Sequence, residues 1–454
     1  MYDYDLIVIG AGPGGYQAAA HAGQLGMKVA LVEKDQLGGT CLNTGCIPAK
    51  AFLRSARLCR QCREAAAFGV HVDGFGIDLP AVVERKNSIV AALAKGVDDL
   101  LSRAGVEVVG GRARILARDR VQVSGQTLRA ANLLIATGAR AAVPPIPGIG
   151  SGHVVDSGSA FDLTVVPSRV AILGADYIGL EFAAFFSDVG AEVAVFDALA
   201  RVAAGFDADV ADRLRQQMHR AGVAFHLSCQ VDGIDGDVVR YADGSGQGQS
   251  YQADLIINAT GRVPVVTDLG LADAGVDFSA AGVPIDAAGR TNVPGIWACG
   301  DVTGRHMLAH VATREGIVAV NNMAGRADRM RYDAIPSVIY THPEVASVGR
   351  TEAELEAASV RYAKTVVPMG VAGRFLVENE HGSGFLKLLT GAEYGEILGV
   401  HAIADFASEF IVAGSALIES ELPVSAAAEI IFPHPTISEA LGEAIRRARQ
   451  GRQP

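Results

Sequence analysis

Two stretches of this chain carry one design, and each dictates a strand, a tight turn and a helix. In the first, the apolar run Tyr4–Ile9 meets Gly10-Ala-Gly12-Pro-Gly14-Gly15, and a helical stretch, Tyr16–Leu25, follows. A second apolar run, Lys28–Val32, ends in Glu33. Continuous apolar runs of this kind read as strands buried on both faces. Glycines at such a turn let backbone approach a pyrophosphate, the helix N-terminus offsets its charge, and the closing acid accepts from ribose hydroxyls. The glycine motif alone is weak evidence; set between strand and helix, with the closing acid, it is specific. The alternative is a tight glycine turn that holds nothing.

The second copy runs from Val170–Leu173 through Gly174-Ala-Asp176-Tyr177-Ile178-Gly179-Leu-Glu181, a helix to Val189 and a strand Glu192–Phe196 ending in Asp197. Its acid falls at the same offset from the first glycine as Glu33 does. Two such units imply two bound nucleotides. They differ at the middle glycine: Gly12 in the first, Asp176 in the second. An aspartate puts an anion where backbone should approach a pyrophosphate, so the second site is expected to be the weaker one.

Three more apolar strands end in small-residue turns: Leu133–Ile135 before Ala136-Thr137-Gly138, Leu255–Ile257 before Ala259-Thr260-Gly261-Arg262, and Ile296–Ala298 before Cys299-Gly300-Asp301. Asp301, at the end of a buried strand, needs a partner; a ribityl hydroxyl would serve, and a turn or helix cap is the alternative. From about Pro336 the pattern changes to alternating strands, Phe385–Leu389 and Ile397–Ala402, then helices, Ala407–Ser420 and Val424–Ile431. The fold class is therefore α/β with two Rossmann-like dinucleotide-binding domains, plus a C-terminal α+β unit.

Between the strands of the first unit and the next lies Leu37–Lys50, LGGTCLNTGCIPAK. Cys41 and Cys46 stand five positions apart, roughly 8–9 Å in a regular helix, too far for a disulfide. If they pair, the backbone is not plain helix, and Gly38, Gly39 and Gly45 supply the freedom for a distorted turn. Pro48 suits the first turn of a following helix, which puts Cys46 at a helix N-terminus that favours thiolate. That describes a reactive, reversible disulfide; two unpaired buried cysteines are the alternative. Cys59 and Cys62 read as incidental helix cysteines, and Cys229 and Cys299 as core, with no metal site. The net charge of −11 argues against nucleic acid. No apolar run reaches a membrane span, no signal peptide is expected ahead of the first strand, and six cysteines in 454 residues suit a reducing cytoplasm. The basic run Arg446–Arg452 reads as a solvated terminus.

Together these residues identify a resemblance. GAGPGGY (Gly10–Tyr16), GGTCLNTGCIPAK (Gly38–Lys50), ATG (Ala136–Gly138), IGLE (Ile178–Glu181), ATGRVP (Ala259–Pro264), CGDVTGRHMLAH (Cys299–His310), THPEVASVG (Thr341–Gly349), ILGVHA (Ile397–Ala402) and HPTISEA (His434–Ala440) stand in the order seen in the flavin-dependent pyridine nucleotide–disulfide oxidoreductases. The chain most closely resembles the branch that oxidises protein-bound dihydrolipoamide with NAD. The resemblance implies an FAD domain (1–148), an NAD domain (149–267), a return segment completing the FAD domain (268–335) and a dimerisation domain (336–454). FAD would be held by Gly10, Gly12, Gly14, Gly15, Glu33, Gly39, Thr40, Lys50, Thr137, Gly138, Gly300, Asp301, Met307, Leu308, Ala309 and His310. NAD would be held by Gly174, Tyr177, Ile178, Gly179, Glu181, Asp197 and Gly261. Cys46 would face the flavin, Cys41 would exchange with the substrate dithiol, and Lys50 would pair with Glu181 near the reactive flavin nitrogen. A His434–Glu439 pair would come from the other subunit of a homodimer, with Thr436 or Ser438 capping the helix that brings them together. The expected partner is the lipoyl domain of a multienzyme complex.

Relatives within the family remain alternatives. A glutathione-reductase-like enzyme would carry arginines for a 2′-phosphate where this chain has Asp197 and a single Arg201. A mercuric reductase would end in a cysteine pair, and a soluble transhydrogenase would lack one of the two cysteines. An FAD-bound relative with impaired NAD turnover is the reading Asp176 motivates. Tyr177 is read either as an aromatic covering the flavin or as ordinary packing, and His342 as a residue of the interface domain.

Overall fold

The computed structural model describes residues 2–379 and 382–452. Its first sheet has a parallel core in the order Glu107–Gly110, Val29–Glu33, Tyr4–Ile9, Gln126–Ile135 and Ile296–Ala298. The second sheet repeats that order with Val223–His226, Glu192–Phe196, Arg169–Leu173, Leu255–Asn258 and Val154–Asp156, all parallel. The apolar runs sit in the middle of both sheets: Leu6, Ile7, Val8, Val170, Ala171 and Ile172 have no exposed surface. Parallel strands buried on both faces need such runs. The chain leaves the first sheet, builds the second, and returns at Ile296–Ala298 to pair with Gln126–Ile135.

The first helix begins at Pro13, three residues before the expected Tyr16. Pro13 occupies the first helical turn, where its missing N–H costs nothing. Gly14 and Gly15 are helical despite their propensity, because each packs where a side chain would collide. A Cβ on Gly15 would fall on the Gly10 carbonyl oxygen, and one on Gly14 would lie 3.0 Å from the Ala312 carbonyl.

The C-terminal unit is an antiparallel sheet in the order Ser337–Ile339, Val345–Gly349, Ile397–Ile403, Phe385–Gly391, Tyr362–Pro368. Helix Ala407–Glu419 packs on strands Val345–Gly349 and Ile397–Ile403, and helix Glu439–Gln450 on the other two long strands. Two expectations are corrected here. The helix expected over Val424–Ile431 ends at Ala427; Pro433 and Pro435 remove two N–H donors, so the chain cannot run on as helix to His434. The basic run Arg446–Arg452 is solvated as expected, with Arg446, Arg447 and Arg449 exposed, but it is not a tail. Most of it is the end of helix Glu439–Gln450, held by an apolar stripe of Ala444, Ile445 and Ala448. Arg452 donates to the carbonyls of Gly391 at 2.6 Å and Glu393 at 2.9 Å.

Two joints fix the units against one another. Phe52, on helix Cys46–Glu64, meets Phe161 at 5.2 Å and Phe185 at 5.1 Å, ring centre to ring centre. Such pairs add about 0.5–1.5 kcal/mol each beyond their burial. Lys387, fully buried in the C-terminal sheet, places its Nζ 2.9 Å from Asp207, 2.6 Å from Asp209 and 2.8 Å from Glu352. Asp207 and Asp209 belong to the second unit, so one ammonium ties it to the C-terminal domain. Among the described residues, no helix is long and apolar enough to cross a membrane.

Candidate active site

The cysteine stretch folds as two helices with a break between them. Helix Gly39–Asn43 ends at Asn43, and after Thr44 and Gly45 helix Cys46–Glu64 begins. The break brings the Cα atoms of Cys41 and Cys46 to 4.7 Å, and the two form a disulfide. Gly38 enters the first helix with φ 98°, a left-handed conformation that glycine adopts without strain. Asn43 Nδ2 donates to the Leu37 and Gly39 carbonyls at 3.0 and 2.9 Å, tying the short helix back on its entry. Cys46 is exposed at the first position of the longer helix.

The disulfide opens on a cavity of about 1470 Å³, which reaches the first glycine turn and, at the second, Asp176, Tyr177 and Ile178 but not Gly174, Gly179 or Asp197. At its first end stand Gly10, Gly12, Gly14 and Glu33. Glu33 accepts from Ala11 N–H at 2.7 Å and Asp35 N–H at 2.9 Å, which holds the turn against the end of the neighbouring strand. A Cβ on Gly12 would meet nothing within 4 Å, whereas one on Gly39 would lie 2.6 Å from Gly12 Cα. Bare backbone therefore lines the wall at Gly12 and Gly39. Gly39, Thr40, Thr137, Gly138, Gly300, Asp301, Met307, Leu308, Ala309 and His310 line the same cavity. Gly15 does not; it packs behind the turn. Thr137 Oγ1 donates to the Val265 carbonyl at 2.9 Å, and the His310 ring meets the Pro336 carbonyl at 2.9 Å.

Asp301 faces the half-buried Arg262 guanidinium at 3.9 Å. Burial pushes the Asp301 carboxyl up, with Arg262 opposing the rise. Sequence reasoning missed this arginine's part, although it stood in the ATGR turn. It also missed Glu315. That carboxylate, buried in helix Ala309–Met323, accepts from Gly300 N–H at 2.7 Å and Tyr332 O–H at 2.8 Å, and so fixes the turn carrying Asp301. Burial holds the Glu315 carboxyl above its ordinary range. Helical spacing alone gave no signal for it.

Bare backbone at the turn, an acid at the strand end and a second acid at Asp301 are the donor and acceptor set a flavin dinucleotide requires, and the cavity has room for one. The second unit is built alike. Asp197 accepts from Ala175 N–H at 2.7 Å and Leu199 N–H at 2.8 Å. A Cβ on Gly179 would fall on the Gly174 carbonyl oxygen, as in the first unit. Asp176, Tyr177, Ile178, Glu181 and Gly261 line the cavity. Asp176 stands at the N-terminal end of helix Tyr177–Asp188, and its side chain makes no capping bond. Tyr177 packs against Phe206 at 5.5 Å. The acid at Asp197, with no arginine pair beside it, suits a nucleotide with a free ribose diol.

Lys50 and Glu181 join the two units. Lys50 Nζ donates to both Glu181 carboxylate oxygens, at 2.9 and 3.0 Å, and lies 4.1 Å from the Tyr340 ring centre. Tyr340 N–H donates to the same carboxylate at 3.2 Å. Three parts of the chain therefore meet at one ammonium beside the disulfide. Tyr340 is a third residue that sequence reasoning missed.

His434 Nδ1 lies 2.9 Å from Glu439 Oε1, and the other Glu439 oxygen accepts from Thr436 N–H at 2.9 Å. The histidine hydrogen bond is the main cause holding the Glu439 carboxyl below its ordinary value. Neither Thr436 nor Ser438 caps the helix by its side chain: Thr436 Oγ1 donates to the Pro433 carbonyl at 2.8 Å, and Ser438 Oγ meets Thr436 Oγ1 at 2.8 Å rather than a backbone N–H. The His434 side chain is 78% exposed and does not line this chain's own disulfide cavity. Cys59, Cys229 and Cys299 are buried thiols and Cys62 is half-buried; all four are free. His342, paired with Asp405 at 2.8 Å, lies in the C-terminal unit, away from the cavity lining.

Residues 4–316 match the model of the pyridine nucleotide-disulphide oxidoreductases, and residues 335–445 match that family's dimerisation domain. A dihydrolipoyl dehydrogenase of Chlamydia muridarum is 38% identical, over 97% of this chain and 96% of its own. Dihydrolipoyl dehydrogenase 3 of Pseudomonas aeruginosa is 40% identical, over 98% and 97%. Among solved structures, LpdA from Mycobacterium tuberculosis superposes with a TM-score of 0.90 at 27% identity, covering 97% of this chain and 99% of that one.

Proposed function

The chain belongs to the pyridine nucleotide-disulphide oxidoreductase family, and from that premise we propose that it oxidises dihydrolipoamide to lipoamide and reduces NAD. One observation carries the reading: the Cys41–Cys46 disulfide opens on the same cavity as the first glycine turn, Asp176, Tyr177 and Ile178 of the second, and the Lys50–Glu181 pair. The likeness to named dihydrolipoyl dehydrogenases over nearly the full length supports it.

The chemistry begins at sulfur. A dithiol attacks only as thiolate. His434 is suited to take the proton: Glu439 accepts from its Nδ1–H, which leaves Nε2 as the free basic nitrogen. Because His434 does not reach its own chain's disulfide, a second copy supplies it, and the family's dimerisation domain provides for that copy. The substrate thiolate attacks Cys41 and forms a mixed disulfide, releasing Cys46 as thiolate. The second substrate thiol then displaces Cys41, so the substrate leaves as a disulfide and two electrons stay on two protein sulfurs. The first helical turn stabilises Cys46 as an anion, and the Lys50 ammonium adds positive charge to the same cavity.

The family uses FAD and NAD. FAD, when bound, supplies two-electron transfer between the protein sulfurs and a nicotinamide. Gly10, Gly12, Gly14, Glu33, Gly39, Thr40, Thr137, Gly138, Gly300, Asp301, Met307, Leu308, Ala309 and His310 would hold it, with Lys50 beside its reactive end. Gly174, Tyr177, Ile178, Gly179, Glu181, Asp197 and Gly261 would hold NAD. The substrate arm is carried by a lipoyl domain of a multienzyme complex, in the cytoplasm.

Thiol counting tests the reading. Anaerobic dihydrolipoamide should expose two new titratable thiols in the wild type and none from this pair in Cys46→Ser. NADPH with glutathione disulfide should give no turnover. Turnover of glutathione disulfide matching that of lipoamide would put a glutathione-reductase-like enzyme in its place.

A further inference from the structure

The second glycine turn differs from the first by one charged side chain, and the fold does not explain it. A Cβ on Gly12 has open space around it, so the fold leaves room at this position and the ligand is what presses on it. Asp176 fills the corresponding place, at the N-terminal end of helix Tyr177–Asp188, and lines the cavity. Its carboxylate makes no side-chain capping bond. The charges around it give little relief. Asp197, at the end of the adjoining strand, is a second anion. Glu181, on the same helix, is taken up by Lys50. Arg262, across the cavity, is committed to Asp301 and the Ala139 carbonyl. Arg201, beyond the strand, turns to the Ala204 carbonyl. Tyr177 contributes a neutral phenol. Burial holds the Asp176 carboxyl above its ordinary value, against the opposing pull of the Tyr177 backbone N–H, and Asp197 adds to the rise.

A bound pyrophosphate brings further negative charge to this turn, where helix N-termini take anions. We propose that binding of the nicotinamide dinucleotide takes up a proton at Asp176. The neutral carboxyl then donates a hydrogen bond to a phosphate oxygen that the carboxylate would repel. The inference rests on the reading that the second unit binds NAD. Its consequence is a sign: nucleotide affinity falls as pH rises through the interval between the free and bound pKa values of Asp176. Below that interval the carboxyl is already neutral and the affinity levels off.

The test uses the flavin-loaded protein and ADP-ribose, which carries the pyrophosphate but no reducible ring. Calorimetry in two buffers of different ionisation enthalpy, from about pH 5 to about pH 9, reads affinity and proton uptake together. The wild type should take up protons and weaken by as much as about tenfold per pH unit within the interval. Asp176→Asn and Asp176→Gly should take up none, show a flat profile, and bind about tenfold more tightly at the alkaline end. Equal affinities and slopes in wild type and variants would overturn the proposal. So would tighter binding by Asp176→Asn with unchanged proton uptake, since repulsion would then act without linkage. No binding by any of the three proteins at any pH would overturn the NAD reading of the second unit itself.

Discussion

The first and second glycine units share strand order, turn and closing acid, yet they are not equivalent. In both, the first and last glycines are demanded by the fold: a side chain at Gly15 or Gly179 would strike the carbonyl of Gly10 or Gly174. In both, the acid holds two backbone amides, Ala11 and Asp35 in the first, Ala175 and Leu199 in the second. Of the three motif glycines only the middle one is free of the fold, and it is the only one of the three that differs, Gly12 against Asp176. Two of the three glycines in this motif therefore build the turn, and the third answers to the ligand.

The comparison breaks most sharply at the outer glycines. Gly15→Ala and Gly179→Ala should each cost about 3 kcal/mol of stability, the upper end of what overpacking costs. Gly15→Ala should also purify without flavin, whereas Gly179→Ala should keep flavin and lose NAD binding; absorbance ratios and thermal melts check both. A harmless Gly179→Ala would mean that the second turn is not built as the first is. Next comes the transplant. Gly12→Asp puts the second unit's charge into the first, and should lower flavin affinity by about a hundredfold while the flavin-free protein loses under about 1 kcal/mol. Flavin retained in full would show that the middle position does not read the ligand.

The closing acids should behave alike. Glu33→Gln and Asp197→Asn each replace a charged acceptor of two amides, at a cost of about 1–2 kcal/mol by urea denaturation. A large difference between them would show that the ligand, absent from one measurement, was holding one turn. The smallest effect concerns attachment. The first unit meets the second through Phe52, packed on Phe161 and Phe185; the second is tied to the C-terminal domain through Lys387. The Lys387 ammonium and its neighbours outweigh burial and hold Glu352 at about 2, below its ordinary 4.5. A carboxyl lowered on folding stabilises above the unfolded value and loses that contribution as pH falls. The joint should therefore loosen between about pH 4.5 and about pH 2, with amide exchange rising in helix 208–220 before helix 13–24. Lys387→Met should bring that loss to neutral pH.

The sequence by itself determined what is local. Glycine spacing, apolar runs and a closing acid defined both nucleotide units, because strand, turn and helix are set by neighbours within a few residues. The spacing of Cys41 and Cys46 called for a break in the helix if the two pair; they do, and the break lies between Asn43 and Cys46. Local reading erred at edges, where packing overrides propensity: the helix that starts at Pro13, the one that stops at Ala427, and the end of helix Glu439–Gln450 that looked like a tail. Tertiary structure alone decided which distant groups meet. Lys50 and Glu181 were paired by family resemblance, but no periodicity placed Tyr340 under that ammonium, Arg262 beside Asp301, Glu315 behind Gly300, or three carboxylates around Lys387. These contacts join rigid units at an angle and distance that no sequence interval encodes. Charges buried there must find partners wherever the packing of whole domains happens to bring them.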